Sequence, residues 1–284
     1  MQTTSAQAAV NLRTAFYGTL ALTLAFKFWL ASTLPMTGDE AYFVFWGVYP
    51  DSGYYDHPPM VGWMLVLLLK LSRAEWVLRL PVIVLPALMA LALLQYLRSA
   101  NEGKAHLAAM AFLLLPANVW NVLITTDTPL VLFSFVSALC FAAALRRESQ
   151  ALYALSGAML GLAFLSKYFA VLLGLVYFAY VLFQPAAGRS WRGLATVVAC
   201  ALPFAAFNTW WNYEHCWANL QFNVYNRHDD AGWSLRTPAL YALSLLYMLC
   251  PVALYHFWRG RAALGTVLGE PRKRFFMLAW VAPL

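Results

Sequence analysis

Charged residues are scarce in this chain. Asp, Glu, Lys and Arg make up 11% of its 284 residues, apolar residues make up 62%, and the mean hydropathy is +0.63. Soluble globular domains are about one half apolar and about one quarter charged, so the shortage of charge excludes that class. The apolar residues fall in blocks near the ~20 residues that cross a bilayer as a helix, not in the short alternating segments of a membrane barrel. The composition therefore predicts an all-α polytopic membrane protein.

Motifs for a bound nucleotide, a metal or a disulfide framework are missing. The sequence has no Rossmann-type glycine fingerprint and no sizeable polar domain that could hold a nucleotide sugar. Its four cysteines show no CxxC or other metal-ligand spacing; Cys140, Cys200 and Cys250 lie in apolar blocks and Cys216 in a polar loop. The net charge is +7, but the basic residues form no stripe with interleaved aromatic residues. We expect no metal-ligand set and no nucleic-acid partner; no cofactor is specified, with a divalent cation left open.

Long apolar blocks divide the chain into candidate membrane spans. A shorter piece, 60–71, follows Pro58-Pro59 and is predicted to be an interfacial or re-entrant helix. A ninth run starts near Phe275 and reaches the last residue after ten positions, so we expect a truncated span or a protein that continues. We expect one transmembrane domain over 1–284. Its full spans are predicted at 14–34, 76–97, 105–125, 128–145, 151–166, 168–183, 193–211 and 237–258.

The charges that remain divide between the two sides of this span pattern. With a cytoplasmic N-terminus, the inner segments hold 12 of the 19 basic residues and the opposite side holds 9 of the 12 acidic residues. The polar start, 1–13, precedes the first span without an obvious cleavage site, which predicts a span that stays attached. We expect a multi-pass bacterial inner-membrane protein with outer, periplasmic loops at 35–75 and 212–236.

The first outer loop combines carboxylates with a lack of basic residues, since no Lys or Arg occurs from 28 to 69. Thr37 and Glu40 have the spacing of a capping box, which predicts a short helix that Pro50 ends. Phe43 and Trp46 share a face of that helix with Asp39, so we expect it to rest in the membrane interface on its aromatic rings. Glu40 either bonds the Thr37 backbone or takes part in catalysis. The loop carries Asp39, Glu40, Asp51 (interpreted as solvated) and Asp56.

Two acidic positions are candidates for general acid–base chemistry. Asp39 lies in the first turn of the predicted helix, where it has no obligatory partner, and it is our first candidate for a base that takes a proton from an acceptor hydroxyl. Asp127 lies in the run Thr-Asp-Thr-Pro before the fourth predicted span. It either caps the following helix or serves as a second acid that orients the acceptor.

Cationic and aromatic residues of the outer loops are candidates for binding a phosphate and a sugar. His57, Lys167 and Arg227 would suit an anionic phosphate at the membrane surface, although His57 could be a turn residue and Lys167 a snorkelling interfacial lysine. The segment 210–233 mixes Trp and Tyr with Asn, Gln, Glu and His, which indicates either an interfacial aromatic belt or a sugar-binding surface. The substrate-binding candidates are Tyr55, Asp56, Glu214, His215 and Trp217.

An ordered series of motifs resembles a known group of enzymes. The series is Asp39-Glu40 after the first span, Tyr54-Tyr-Asp-His-Pro-Pro-Met-Val-Gly-Trp63, Thr126-Asp-Thr-Pro-Leu130, and Gly161-Leu-Ala-Phe-Leu-Ser-Lys167. Over roughly positions 14–236 the chain is similar to bacterial members of glycosyltransferase families 39 and 83, GT-C-fold enzymes related to protein O-mannosyltransferases and to aminoarabinose transferases of lipid A.

The resemblance implies a function and residue roles. The donor would be a polyprenyl-phosphate-linked sugar, and the sugar would move at the periplasmic face to a lipid, glycan or protein acceptor. Asp39 matches the catalytic aspartate, with Glu40 beside it, and Asp127 matches the second acidic position. His57 stands where lipid A-modifying relatives usually carry a lysine, and the family normally has more spans and a C-terminal outer domain.

Physical chemistry is compatible with transfer from such a donor. A lipid phosphate leaves readily, so one base and a few cations would suffice for a single displacement with inversion. Two other classes stay open: a truncated non-catalytic membrane protein, and a transporter or flippase for a lipid-linked or anionic substrate. Transporters place carboxylates at mid-span between two similar halves. Here the acids lie at loop ends and the halves do not match, which favours transfer.

Overall fold

A computed structural model describes residues 2–99, 101–184, 190–228, 232, 234–248, 255, 258–259 and 261, with side chains from residue 11 onward. Within these ranges the secondary structure consists of helices, without a β-strand, so the expected all-α architecture is confirmed. The helices are α1 Gln2–Thr33, α2 Gly38–Val48, α3 Met60–Leu69, α4 Glu75–Leu78, α5 Leu80–Leu97, α6 Glu102–Leu113, α7 Pro116–Trp120, α8 Asp127–Arg147, α9 Gln150–Phe164, α10 Ala170–Leu182, α11 Trp191–Glu214, α12 Ala218–Val224 and α13 Arg236–Met248.

In the described part of the chain, four helices are long and apolar enough to cross a membrane. They are Asn11–Thr33 of α1, α5, α8 and α11, and each overlaps a predicted span. The short helix expected at 60–71 is α3, while the apolar helices α9 and α10 lie at the spans predicted for 151–166 and 168–183. The second half of the span predicted at 237–258 and the ninth run lie largely or wholly outside the described residues.

One predicted span is wrong. The apolar stretch 105–125 is not a continuous helix, because α6 ends at Leu113 and the five-residue α7 starts at Pro116. Proline has no N–H to donate and clashes with the preceding turn, so it starts a helix far more readily than it continues one. Beyond α7, residues 121–125 leave the helical conformation, with Val122 and Ile124 fully buried.

Local sequence signals set several helix ends. The Asn101 side chain accepts from the Lys104 N–H at 2.8 Å and caps α6, and the Ser149 side chain accepts from the Leu152 N–H and caps α9. α8 ends with two arginines in its last turn, where positive charge complements the helix dipole, and Glu148 follows in the left-handed conformation with φ 50°.

The chain forms two compact units, and the first comprises residues 1–41, 68–124 and 233–259. In it, α1 packs against α5 and α6 around Phe16, with Ala90, Ala105 and Ala109 fully buried. The Lys27 side chain is also buried, and its Nζ donates to the Val82 carbonyl of α5 at 2.8 Å. Pro86 lies four residues after Val82 inside α5 and cannot make the helical bond to that carbonyl. Lys27 thus takes the place of a missing backbone donor.

The second unit comprises residues 42–67, 125–232 and 260–284. Here α9 packs against both α8 and α11. Gly157 and Gly161 face α11 so closely that a Cβ atom would overlap the Val197 carbonyl oxygen or the Phe204 ring, respectively. Small residues at this spacing let helix backbones approach in a membrane. Ser137 on α8 and Ser156 on α9 each donate to the other's carbonyl, at 2.8 and 3.0 Å.

Candidate active site

The start of α2 is fixed by the predicted capping box. The Thr37 N–H donates to Oε2 of Glu40 at 3.1 Å, and the Glu40 N–H donates to the Thr37 hydroxyl at 3.3 Å. These reciprocal bonds satisfy two backbone N–H groups that have no partner within the helix. The capping-box interpretation of Glu40 is therefore confirmed.

Glu40 also accepts hydrogen bonds from a buried arginine. Arg79, which precedes α5, donates through Nε to Oε1 at 2.8 Å and through Nη2 to Oε2 at 2.7 Å, and both side chains are fully buried. The Ile124 N–H adds a bond to Oε1 at 3.1 Å. Burial by itself would raise the pKa of Glu40, but the hydrogen bonds from Arg79, Thr37 and Ile124 outweigh it and hold that pKa below its ordinary value. Glu40 is thus a buried carboxylate with both oxygens engaged.

Arg79 is a site residue that the sequence analysis missed. Its Nη1 donates to the carbonyls of Ala31 and Leu34 at 2.8 and 2.7 Å, and its Nη2 donates to Pro35 at 3.3 Å. The guanidinium therefore joins the C-terminal end of α1 to Glu40 on α2. An arginine inside the apolar run predicted as 76–97 was the available signal, because a charge at such a place needs a specific partner.

Asp39 has a different environment from its neighbour. It lies in the first turn of α2, and its side chain is exposed. The adjacent peptide is held by the Glu40 contacts described above, so the exposed carboxylate is attached to a backbone that hydrogen bonds fix in place. Such a group can accept a proton from a bound hydroxyl.

In the second unit, Asp127 pairs with Lys167. Nζ of Lys167 lies 2.7 Å from Oδ1 of Asp127, and the two side chains are 23% and 53% exposed. Asp127 is the first residue of α8, and its N-cap position is taken by Thr126 without a side-chain cap bond. The interpretation of Asp127 as an N-cap is therefore wrong. The structure instead joins two residues that the sequence analysis had selected separately.

The loop before α3 carries Asp56 and His57 next to aromatic rings. Oδ2 of Asp56 lies 3.0 Å from Nδ1 of His57, although within the described residues the geometry of this buried nitrogen satisfies no hydrogen bond. The Tyr42 hydroxyl donates to the other oxygen of Asp56 at 3.4 Å. Partial burial and the Asp56 charge raise the pKa of Tyr42.

The aromatic face of α2 points into the protein. Phe43 and Trp46 are 8% and 3% exposed, and the centroids of both rings lie about 6 Å from that of His57. The Trp46 ring also stacks on the Tyr54 ring, with 4.0 Å between the centroids. The expectation that these two rings rest in the membrane interface is wrong, because the loop 51–57 folds under them. On α2, Phe45 and Val48 are exposed, and so is Tyr49, the residue that follows the helix.

The remaining candidates lie on or near α11 and α12. Tyr55 contacts the Phe222 ring at 4.7 Å, and its hydroxyl accepts from Asn226 at 3.4 Å, next to the exposed Arg227. His215 stacks on Trp211 at 4.1 Å. Glu214 is exposed, and Trp217 is 39% exposed with a left-handed backbone, φ 59°. In the described part of the chain, no three Asp, Glu, His or Cys side chains come close enough to hold a metal.

Comparisons with known proteins place this geometry in context. The family of dolichyl-phosphate-mannose-protein mannosyltransferases matches residues 56–213, more than half of the chain. That range begins after Asp39 and Glu40 and includes His57, Asp127 and Lys167. The lipid A galacturonosyltransferase RgtD of Rhizobium johnstonii is 29% identical over 224 residues, which cover 76% of this chain and 46% of the relative. The chain thus spans about half the length of the curated relative it matches. No solved structure matches the chain.

Proposed function

Because this chain belongs to the dolichyl-phosphate-mannose-protein mannosyltransferase family, we propose that it is a membrane glycosyltransferase with a polyprenyl-phosphate-linked sugar as donor. The acceptor is a hydroxyl of a lipid, glycan or protein. The active site faces the periplasm of a bacterial inner membrane. The motif series recognised in the sequence, the family match and the all-α membrane bundle support this proposal.

The observation that carries the proposal is the contrast between Asp39 and Glu40. Adjacent carboxylates at the start of α2 differ completely, because Glu40 is buried under Arg79 while Asp39 is exposed on the same rigid turn. A base needs an accessible carboxylate in a fixed position. We assign the base to Asp39. Glu40 serves as a positioning residue, in place of the catalytic role considered from the sequence.

In the proposed step, the acceptor oxygen forms a bond to the anomeric carbon from the side opposite the phosphate. The bond between that carbon and the phosphate oxygen breaks, and its electron pair leaves with polyprenyl phosphate. The acceptor proton passes to Asp39. A single displacement of this kind inverts the anomeric configuration, and no cofactor is needed for the atoms and charges to balance.

Cationic side chains would stabilise the departing phosphate. Lys167 is the first of them, because its ammonium is held by Asp127 and is partly exposed. We propose that Asp127 orients Lys167 and that the departing phosphate competes for the same ammonium, since a phosphate monoester carries more negative charge than one carboxylate and offers three acceptor oxygens. His57 and Arg227 complete the proposed phosphate group. Tyr55, Asp56, Glu214, His215 and Trp217 stay proposals for contacts to the sugar or the acceptor.

The names of the relatives suggest which substrates to test. The family description refers to mannose on dolichyl phosphate, and the relative from Rhizobium johnstonii is described as a galacturonosyltransferase of lipid A. We therefore propose polyprenyl-phosphate-linked mannose and galacturonic acid as the first donors, and a lipid A-type glycolipid as the first acceptor.

The test is sugar transfer by purified protein in detergent or nanodiscs. Asp39→Asn should lower kcat by 10²-fold or more, because the variant keeps the shape of the side chain but cannot accept the proton. Asp51→Asn is the matched control: Asp51 is an exposed carboxylate of the same loop without a proposed role, and its variant should keep kcat. Added EDTA should leave the rate unchanged if no divalent cation takes part.

Two results would overturn the proposal. Transfer by Asp39→Asn at the rate of the unaltered protein would remove Asp39 as the base. Lack of transfer from every polyprenyl-phosphate sugar, together with lack of polyprenyl phosphate binding, would reject the donor class.

A further inference from the structure

Asn219 is a buried amide at the centre of the second unit's polar contacts. It lies on α12 and is 1% exposed. Its Nδ2 donates to the Tyr54 carbonyl at 2.9 Å, and its Oδ1 accepts from the Tyr168 hydroxyl at 2.7 Å and from Nδ2 of Asn223 at 3.2 Å. These bonds use the donor end and the acceptor end of one amide in different directions, which fixes its orientation.

Two of these partners lie close in the sequence to proposed phosphate-binding residues. Tyr168 directly follows Lys167, and Tyr54 lies three residues before His57. Asn223 extends the contact, because its Nδ2 also donates to the Asp56 carbonyl at 2.9 Å. On the other side of Tyr168, Nδ2 of Asn208 on α11 donates to the same hydroxyl at 3.0 Å.

A second link joins the same two segments independently. The Met60 N–H, at the start of α3, donates to the Leu165 carbonyl at 3.0 Å, two residues before Lys167. The loop 51–60 and the segment 165–168 therefore meet at a backbone bond and at the Asn219 side chain. Asn219 itself belongs to α12, so its side chain joins both segments to this helix. The C-terminal end of α12 leads to Arg227.

We propose that Asn219 is a positioning residue that holds the segments bearing His57, Lys167 and Arg227 in register to receive the phosphate of the donor. The inference rests on the proposed function for the identity of the ligand. Its structural part stands on the contacts of Asn219. Loss of the amide would leave the Tyr54 carbonyl and the Tyr168 hydroxyl without these partners inside the protein, and both segments would shift to find others.

The experiment compares variants for ligand binding and for local stability. The probe is undecaprenyl phosphate without a sugar, titrated into purified protein and followed by tryptophan fluorescence well below the melting temperature. Asn219→Leu keeps the number and branching of the side-chain heavy atoms but loses every polar contact. Its Kd for the probe should rise about tenfold, because small displacements of positioning groups are costly. Tyr168→Phe removes one hydroxyl of the same network and should shift Kd in the same direction by a smaller factor.

Two controls separate positioning from general stability. Asn118→Leu is the same substitution at a partly buried amide of the first unit, whose Nδ2 donates to the Phe112 carbonyl at 2.7 Å. Its melting temperature should fall by a similar amount to that of Asn219→Leu, while its Kd for the probe should equal that of the unaltered protein. Lys167→Met removes the ammonium itself and marks the loss of affinity that direct phosphate contact produces.

Amide hydrogen exchange gives a readout that needs no ligand. Asn219→Leu should raise exchange in peptides covering 51–60 and 164–170, and Asn118→Leu should leave both unchanged. Wild-type exchange in these peptides, or an unchanged Kd in Asn219→Leu while Lys167→Met loses binding, would overturn the inference. If the unaltered protein does not bind undecaprenyl phosphate, the phosphate-positioning role of Asn219 is rejected, and the exchange result still decides whether Asn219 joins the two segments.

Discussion

Asp39 and Glu40 are adjacent in the sequence and chemically similar, yet their side chains have opposite surroundings. Glu40 accepts bonds from a threonine, an arginine and a backbone amide, and it is fully buried. Asp39 is exposed one residue earlier. The buried charge is compatible with folding because Arg79 neutralises it and because each oxygen is hydrogen-bonded. One carboxylate thus fixes the backbone, and the other is available for chemistry.

Glu40→Gln should destabilise the protein strongly. It leaves the guanidinium of Arg79 without its buried counter-charge, a change that typically costs about 3–5 kcal/mol. Thermal unfolding in detergent, followed by fluorescence-detected size exclusion, would measure the loss. Glu75→Gln is the matched control, since the Glu75 carboxylate is 45% exposed and lies 3.6 Å from Arg79; its effect should stay below about 1 kcal/mol. Equal melting temperatures for the two variants would contradict the buried-pair argument.

At the residue scale, short-range contacts could be predicted from the sequence and long-range contacts could not. The capping box joins Thr37 and Glu40, three positions apart, and its spacing is a local signal. The Arg79–Glu40 bond joins residues 39 positions apart, and the Asn219–Tyr54 bond joins residues 165 apart. No local pattern encodes such partners, because they depend on how the helices pack. Asp127 shows the same limit. The local sequence suggested a helix N-cap, but in the structure its carboxylate pairs with Lys167, 40 positions away.

At the scale of elements, α1 and α5 are joined by reciprocal cation contacts. Lys27 of α1 donates to the Val82 carbonyl of α5, and Arg79, at the start of α5, donates to the Ala31 and Leu34 carbonyls at the end of α1. Pro86 leaves the Val82 carbonyl without its helical donor, so the proline and the lysine form one functional pair.

The dependence of Lys27 on Pro86 can be measured with a double-mutant cycle. Lys27→Met should cost about 1–3 kcal/mol, because it leaves the buried Val82 carbonyl without a donor. In a Pro86→Ala background the restored N–H at position 86 can donate to that carbonyl, so Lys27→Met should cost about 1 kcal/mol less. Lys104→Met, at an exposed lysine of α6, controls for the substitution. Additive effects of the two changes would show that Lys27 does not serve the carbonyl that Pro86 frees.

Helix boundaries could be predicted where an apolar run and a neighbouring proline indicated the same end. α1 ends at Thr33, just before Pro35, and α3 occupies the short apolar piece after Pro58-Pro59. The stretch 105–125 has enough apolar residues for a span, and hydropathy outweighed Pro116 in that prediction. Val122 and Ile124 explain the error, because they are apolar residues of a buried irregular segment and not of a lipid-facing helix.

At the scale of the whole molecule, the uneven distribution of charge predicts its orientation. In the second unit, α8 extends over 21 residues from Asp127 to Arg147, which is about 31 Å of helix and close to the thickness of a bilayer core. The Asp127–Lys167 pair and the Met60–Leu165 bond place the loop 51–60 at the Asp127 end of this helix. Arg146 and Arg147 lie at the other end.

Thiol labelling would test this orientation. In a background with the native cysteines replaced, S52C should react with a membrane-impermeant maleimide in intact spheroplasts, and R147C should react in inverted vesicles. Permeabilised cells, in which both positions should be labelled, provide the control for intrinsic reactivity. Labelling of both positions from the same side would reject the predicted topology.

The bond between Lys27 and the Val82 carbonyl also constrains how the protein is made. The two residues are 55 positions apart, and the N-terminal part of a chain is synthesised first. Lys27 is therefore synthesised before its acceptor. A lysine in a span carries an insertion cost of up to about 2.5–3.5 kcal/mol at the bilayer centre. Until α5 has been synthesised, the Lys27 ammonium lacks the acceptor that it has in the folded protein.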